Sequence, residues 1–190
     1  VEIACSLVDE GMGVLGTGEV GICNTTTSAA VLAALTGAGA EEVVGNGTGA
    51  DERTYELKLK AVRDALAVNR PDPKDALDVL HKVGGLDIAG LVGVCLAGAA
   101  RRVPVVIDGF IAGTAALLAV KMNPLVKNYL IPSHLSAEKG ARIVLEQLGM
   151  EPMLLMNMRL GEGTGAALAF HLLDASCRII SEMGSFADLA

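Results

Sequence analysis

Tryptophan is absent from this 190-residue chain, and the other aromatics are only two tyrosines and three phenylalanines. Ala, Val, Leu and Gly must therefore fill the interior, which suits closely packed helices laid over a sheet. Basic charge is scarce as well: 15 Lys and Arg stand against 22 Asp and Glu, a formal net charge of −7. With no basic patch and no aromatic-rich face, no nucleic-acid partner is expected. Long apolar runs are missing in spite of a mean hydropathy of +0.49. The apolar stretches 88–100 and 109–120 are bounded by Asp87, Arg101, Asp108 and Lys121. Both fall short of the roughly 20 residues that span a bilayer, so they read as buried helices and no membrane partner is expected. Cys5, Cys23, Cys95 and Cys177 form no C-x-x-C pair and read as reduced thiols of a cytoplasmic protein. His81, His134 and His171 are too scattered for a metal site.

What the chain does have is alternation. β-type runs at 14–15, 41–44, 103–107, 128–131 and 153–157 are separated by helical segments. Helices are predicted over 1–10, from Asn24 as N-cap to Leu35, and over 51–68, 73–83, 88–100, 109–122, 137–148 and 165–181. The β-branched run 103–107 reads as a central parallel strand. The pattern predicts an α/β fold: a Rossmann-like parallel sheet with helices on both faces, and ligands at the carboxyl ends of its strands. The first residue, Val1, lies within a helical pattern, so the chain reads as part of a longer protein.

Three glycine loops carry the chemistry. Gly16-Thr17-Gly18-Glu19-Val20-Gly21 matches G-x-G-x-x-G, with Glu41 following at about the spacing of a ribose-binding acid. A dinucleotide site there has two physical objections. Glu19 would set a carboxylate beside a pyrophosphate, and the helix starts at Asn24, after the last glycine. Gly45-Asn46-Gly47-Thr48-Gly49 lets successive amides converge on a phosphate. Lys58 on the next helix either adds a point charge to that phosphate or is a solvated lysine, and spacing alone favours the second. In Arg159-Leu160-Gly161-Glu162-Gly163-Thr164-Gly165 a lone carboxylate opens a helix. Glu162 is either a first-turn acid favoured by the helix dipole or a proton acceptor against a ligand, should burial raise its pKa. Ser133, His134 and Asp108 lack the G-x-S-x-G elbow of a serine hydrolase, and Ser136 reads as a helix cap.

Five segments together resemble one family. Gly18 to Thr27 is similar to its GEMGIGNTT signature, and Gly47 to Asp51 to its GTG-x-D loop, with Lys58 at the matching distance. Val103 to Phe110 resembles RVPVVLDGF, Ser133 to Glu138 resembles SH-x-SAE, and Met158 to Ala166 is nearly identical to MRLGEGTGA. The family is that of the nicotinate-nucleotide:dimethylbenzimidazole phosphoribosyltransferases of cobalamin lower-ligand synthesis, and the likeness covers essentially the whole chain.

The resemblance implies transfer of phosphoribose from nicotinate mononucleotide to 5,6-dimethylbenzimidazole, giving α-ribazole 5′-phosphate and nicotinate. It implies Glu162 as general base, with Glu19 across the site. Gly47, Thr48, Gly49, Lys58 and Ser136 would hold the phosphate. Asn24, Thr25 and Asp108 would contact ribose or nicotinate, with Gly161 and Gly163 as further substrate contacts. It implies no metal or cofactor, a homodimer, and residues 1–190 as a nucleotide-binding α/β domain lacking the N-terminal part of the family's small helical, base-binding region. Two residues depart from the pattern: Val20 stands where the family has Met, and Cys23 where it has Gly. A non-catalytic module binding nicotinate mononucleotide is the competing reading.

Overall fold

The computed structural model describes residues 1–47, 49 and 51–186. Three short parallel strands, β1 (Leu15–Gly16), β2 (Val105–Ile107) and β3 (Leu130–Pro132), form one sheet in the order β1-β2-β3. Register sets Leu15 against Val105 and Val105 against Leu130, so all three strands end at one edge, followed by Thr17, Asp108 and Ser133. The period-two pleat of β2 decides what covers each face. Val105 and Ile107 belong to the main core, while Val106 packs with Ala166 and Ala169 in a smaller cluster on the other side. The α/β fold with helices on both faces of a parallel sheet is therefore present as predicted.

The main core is built around α7 (Phe110–Met122), whose residues are buried without interruption from Phe110 to Ala119. A helix apolar on every side must be surrounded. Here α2 (Asn24–Thr36), α5 (Ala76–Val83), α6 (Leu86–Arg101) and α8 (Ala141–Leu148) do so. α6 approaches β2 so closely that a Cβ on Gly98 would collide with Val105 Cγ2, a distance only glycine permits. α4 (Glu52–Asn69) packs on α2, and the Asp51 side chain caps it by accepting from the Thr54 N–H at 2.8 Å. α1 (Glu2–Asp9) lies on α6, and α9 (Thr164–Glu182) packs on the Val106 side of the sheet. Among the described residues no helix is long and apolar enough to cross a membrane.

Two predicted strands fold otherwise. The run 41–44 contributes to a one-turn helix, α3 (Ala40–Val43), because the Glu42 carboxylate accepts the Gly39 N–H at 2.9 Å in a helix-starting arrangement. Neighbouring Val43 and Val44 are both fully buried, which a strand with one face to solvent could not achieve. The run 153–157 reduces to a single bridge between His134 and Leu154. Leu155 is 76% and Met156 56% exposed, so no described residue covers the outer side of this run. Asn24 is the first residue of α2 and not its cap. The cap position falls to Cys23, at φ +68, a left-handed conformation that glycine adopts more readily than a residue with a side chain.

Candidate active site

The first and third glycine loops meet at the carboxyl edge of the sheet. Gly18 lies against the backbone of Gly163, and a Cβ on it would stand 2.6 Å from the Gly163 nitrogen and 2.7 Å from its Cα. Gly161, Glu162 and Gly163 have φ values of +76, +59 and +78. Three successive left-handed residues form a tight turn that flanking glycines tolerate and that presents the one side chain between them.

That turn is fastened from a distance. Asp108, 3% exposed at the end of β2, accepts from Gly163 N–H at 3.1 Å, Gly165 N–H at 2.7 Å and Ala166 N–H at 3.3 Å. It thus caps α9 across the sheet edge, satisfying amides that no residue of the helix itself reaches. Thr17 ties in the first loop: its Oγ1 donates to Val106 O at 3.0 Å and accepts the Asp108 N–H at 3.1 Å. Ser133 Oγ donates to Asp108 O at 3.1 Å and lies 3.0 Å from His134 Nδ1. The single hydroxyl proton is thereby used, so Nδ1 is the donor to Ser133 and the neutral ring keeps Nε2 bare. Burial pushes the His134 pKa down, with the Asp108 charge opposing. Asp108, expected as a ribose or nicotinate contact, shapes the loop and is not among the residues lining the cleft.

A cleft of about 130 Å³ opens in front of these loops. Glu19 and Glu162 line it, as do Thr25, Gly47 and Ser136. Glu19 is half-buried, bends over Gly161, and receives a hydrogen bond from Asn24 Nδ2. Burial pushes the Glu19 pKa above 4.5, the Asn24 bond opposes, and the charges of Asp108, Asp87 and Glu162 push it further up. Asp87, at the start of α6, was not singled out as a site residue. Glu162 is exposed, so the burial on which its proton-accepting role was conditioned does not come from this chain.

The raised Glu19 pKa has a stability consequence with a definite sign. Protonated Glu19 is favoured in the folded state, so its contribution is fully present below 4.5 and is lost as pH rises through the higher folded value. Glu19→Gln, which keeps an acceptor for Asn24, is expected to raise Tm at neutral pH and to match wild type in acid. Tm curves that stay parallel from about pH 4 to 8 would remove this assignment.

Gly47 of the second glycine loop lines the same cleft. Gly47 has φ +60. Lys58 is not a solvated lysine: its Nζ donates to Gly45 O at 2.6 Å and to Thr25 Oγ1 at 3.1 Å. Only the tertiary fold brings these partners together, since Thr25 is 33 residues away. Ser136 does not cap α8, which begins at Ala141. Its Oγ accepts the Glu138 N–H at 3.3 Å, and Ser136 lines the cleft. Gly49 is exposed and does not line the cleft, and Thr48 lies outside the described residues. Among the described residues no group of three His, Cys, Asp or Glu side chains is placed to hold a metal.

A family profile described as phosphoribosyltransferase matches residues 1–190. The chain is 53% identical over 186 residues to a nicotinate-nucleotide–dimethylbenzimidazole phosphoribosyltransferase of Clostridium acetobutylicum, covering 98% of this chain and 53% of that protein. A protein of the same name from Acetivibrio thermocellus is 52% identical over 192 residues, covering 99% of this chain and 55% of its own length. The solved structure of the corresponding protein from Thermus thermophilus superposes with a TM-score of 0.89 at 43% identity, over 98% of this chain and 54% of that one. This chain thus spans about half the length of the curated relatives it matches. On the profile match, the identities and the shared fold, the chain belongs to the nicotinate-nucleotide:dimethylbenzimidazole phosphoribosyltransferase family.

Proposed function

We propose that residues 1–190 are the nucleotide-binding α/β domain of an enzyme that transfers phosphoribose from nicotinate mononucleotide to 5,6-dimethylbenzimidazole. One observation carries the reading: the carboxylates Glu19 and Glu162 line the same cleft as Gly47, Thr25 and Ser136, with Glu138 also in its wall and Lys58 bonded to Thr25. A ligand anionic at one end and cationic at its reacting carbon fits that set of groups. The phosphate lies against Gly47, Lys58 and Ser136, and Asn24 and Thr25 lie beside the ribose. Gly161 and Gly163 let the substrate approach Glu162 without a side-chain clash.

In the reaction, the lone pair of a benzimidazole nitrogen attacks the ribose C1′ from the face opposite nicotinate. The C1′–N bond to nicotinate breaks and its electron pair leaves with the ring. The β-nucleotide becomes an α-nucleotide, and the other benzimidazole nitrogen gives its proton to Glu162. Positive charge that grows at C1′ is stabilised by the carboxylates across the cleft. The products are α-ribazole 5′-phosphate and nicotinate; no step needs a metal or cofactor. A homodimer and a cytoplasmic location belong to the same reading.

Glu162→Gln is expected to leave the Kd for nicotinate mononucleotide within about threefold while lowering transfer at least about 100-fold. Calorimetry and detection of α-ribazole phosphate by mass spectrometry check the two parts; undiminished transfer excludes Glu162 as the base. The exposure of Glu162 favours a second reading of this chain taken alone, as a module that binds the nucleotide and transfers it slowly.

A further inference from the structure

Beside the second glycine loop lies a carboxylate that the proposed reaction does not use. Glu138 is only 8% exposed, and its Oε2 is buried without a hydrogen-bond partner. An unpartnered buried carboxylate oxygen is costly, so its place calls for a function. Oε2 is pressed against Gly45, where any Cβ would collide with it. The same glycine accepts one Lys58 proton at its carbonyl, and Thr25 Oγ1 accepts a second. An ammonium has three. One Lys58 proton is therefore without either partner, and the bare carboxylate stands across the same residue.

We propose that Glu138 is the positioning residue of Lys58: its carboxylate, across Gly45 from the half-buried ammonium, keeps that group charged beside the phosphate site. This rests on the reading of Gly47, Lys58 and Ser136 as the phosphate site. Glu138 does not itself take the phosphate, since both are anions and Oε2 is sealed from solvent. Burial pushes the Lys58 pKa down; the Glu138 charge is the first influence that opposes it, and the Cys23 thiol from the start of α2 is a lesser one. Arg159 lines the cavity around Glu138 from the third loop. Without the Glu138 charge, a half-buried Lys58 shifts toward the neutral amine, which has no charge to offer a phosphate. The pair also accounts for Gly45, where any side chain would displace the carboxylate.

The test is an NMR titration of the Lys58 side chain in the full chain, as wild type and as Glu138→Gln. The Lys58 midpoint is expected at lower pH in the variant. An unchanged midpoint in folded Glu138→Gln overturns the proposal, and Glu138→Ser repeats the measurement if the glutamine does not fit. In parallel, calorimetry with nicotinate mononucleotide is expected to show Kd raised about tenfold at neutral pH, with the alkaline limit of binding moved to lower pH. Lys58→Arg, which cannot lose its proton in this range, is expected to restore that alkaline limit in the Glu138→Gln background. If wild type binds no nucleotide, the phosphate reading fails, while the NMR midpoint still decides the Glu138–Lys58 pair.

Discussion

Asp108→Asn is expected to loosen the turn that presents Glu162 while leaving the sheet intact. The aspartate accepts three backbone N–H groups, from Gly163, Gly165 and Ala166. An asparagine oxygen can keep the two on Oδ1, but its amide then turns an N–H toward the Gly163 N–H, donor against donor. The negative charge at the start of α9 is lost at the same time. Hydrogen bonds to a charged group contribute more than neutral ones, so the loss in stability is expected at about 2–3 kcal/mol. That loss falls on the loop first. Amide exchange at Gly163, Gly165 and Ala166 should quicken by at least about tenfold, while Val105 and Val106 in the sheet keep their protection. If the proposed reaction holds, transfer drops by about 100-fold, because a displacement of about 1 Å at the reacting groups is that costly. Exchange rates at those three amides equal to wild type would contradict the role given to Asp108.

The second large effect concerns a residue with no side chain. Gly18→Ala places a methyl group 2.6 Å from the Gly163 nitrogen, 2.7 Å from its Cα and 3.0 Å from the Glu162 carbonyl carbon. All three are backbone atoms of a turn already held by Asp108, so no side chain can rotate aside to make room. The first and third loops must separate, carrying Glu19 away from Glu162. Overpacking of this kind costs about 1–3 kcal/mol, and its effect on transfer is expected to match that of Asp108→Asn, about 100-fold. Gly47, Lys58 and Ser136 take no part in this contact, so the Kd for nicotinate mononucleotide is expected to stay within about threefold. A variant that transfers at the wild-type rate shows that the two loops need not touch. Asp108→Asn and Gly18→Ala act on the same turn, so the double variant is expected to lose less than the sum of the two.

These effects concern contacts that no stretch of sequence displays, whereas much of the fold is readable locally. The apolar run of α7, the β-branched run of β2 and the Asp51 cap of α4 each depend on neighbours within a few residues, where helix and strand periods and capping distances hold. The same local rules failed where two of them competed. Val43 and Val44 suggest a strand, but the Gly39–Glu42 arrangement turns the chain into a helix. Asn24 has the composition of a cap, but its amide is turned back to Glu19.

The glycine loops were recognisable as loops, and the resemblance of their motifs pointed to Glu19, Glu162 and Lys58. What each carboxylate does was decided by tertiary structure alone. Asp108 and Gly163 are 55 residues apart in sequence, and Glu138 is brought against Gly45 only by the packed fold. The sequence by itself determined which segments become helices around a parallel sheet, because those choices depend on local spacing. Only the packed fold decided which acid caps α9, which bends over the turn at Gly161 and which stands behind the lysine, because burial, charge and hydrogen bonding there belong to residues that the chain order keeps far apart.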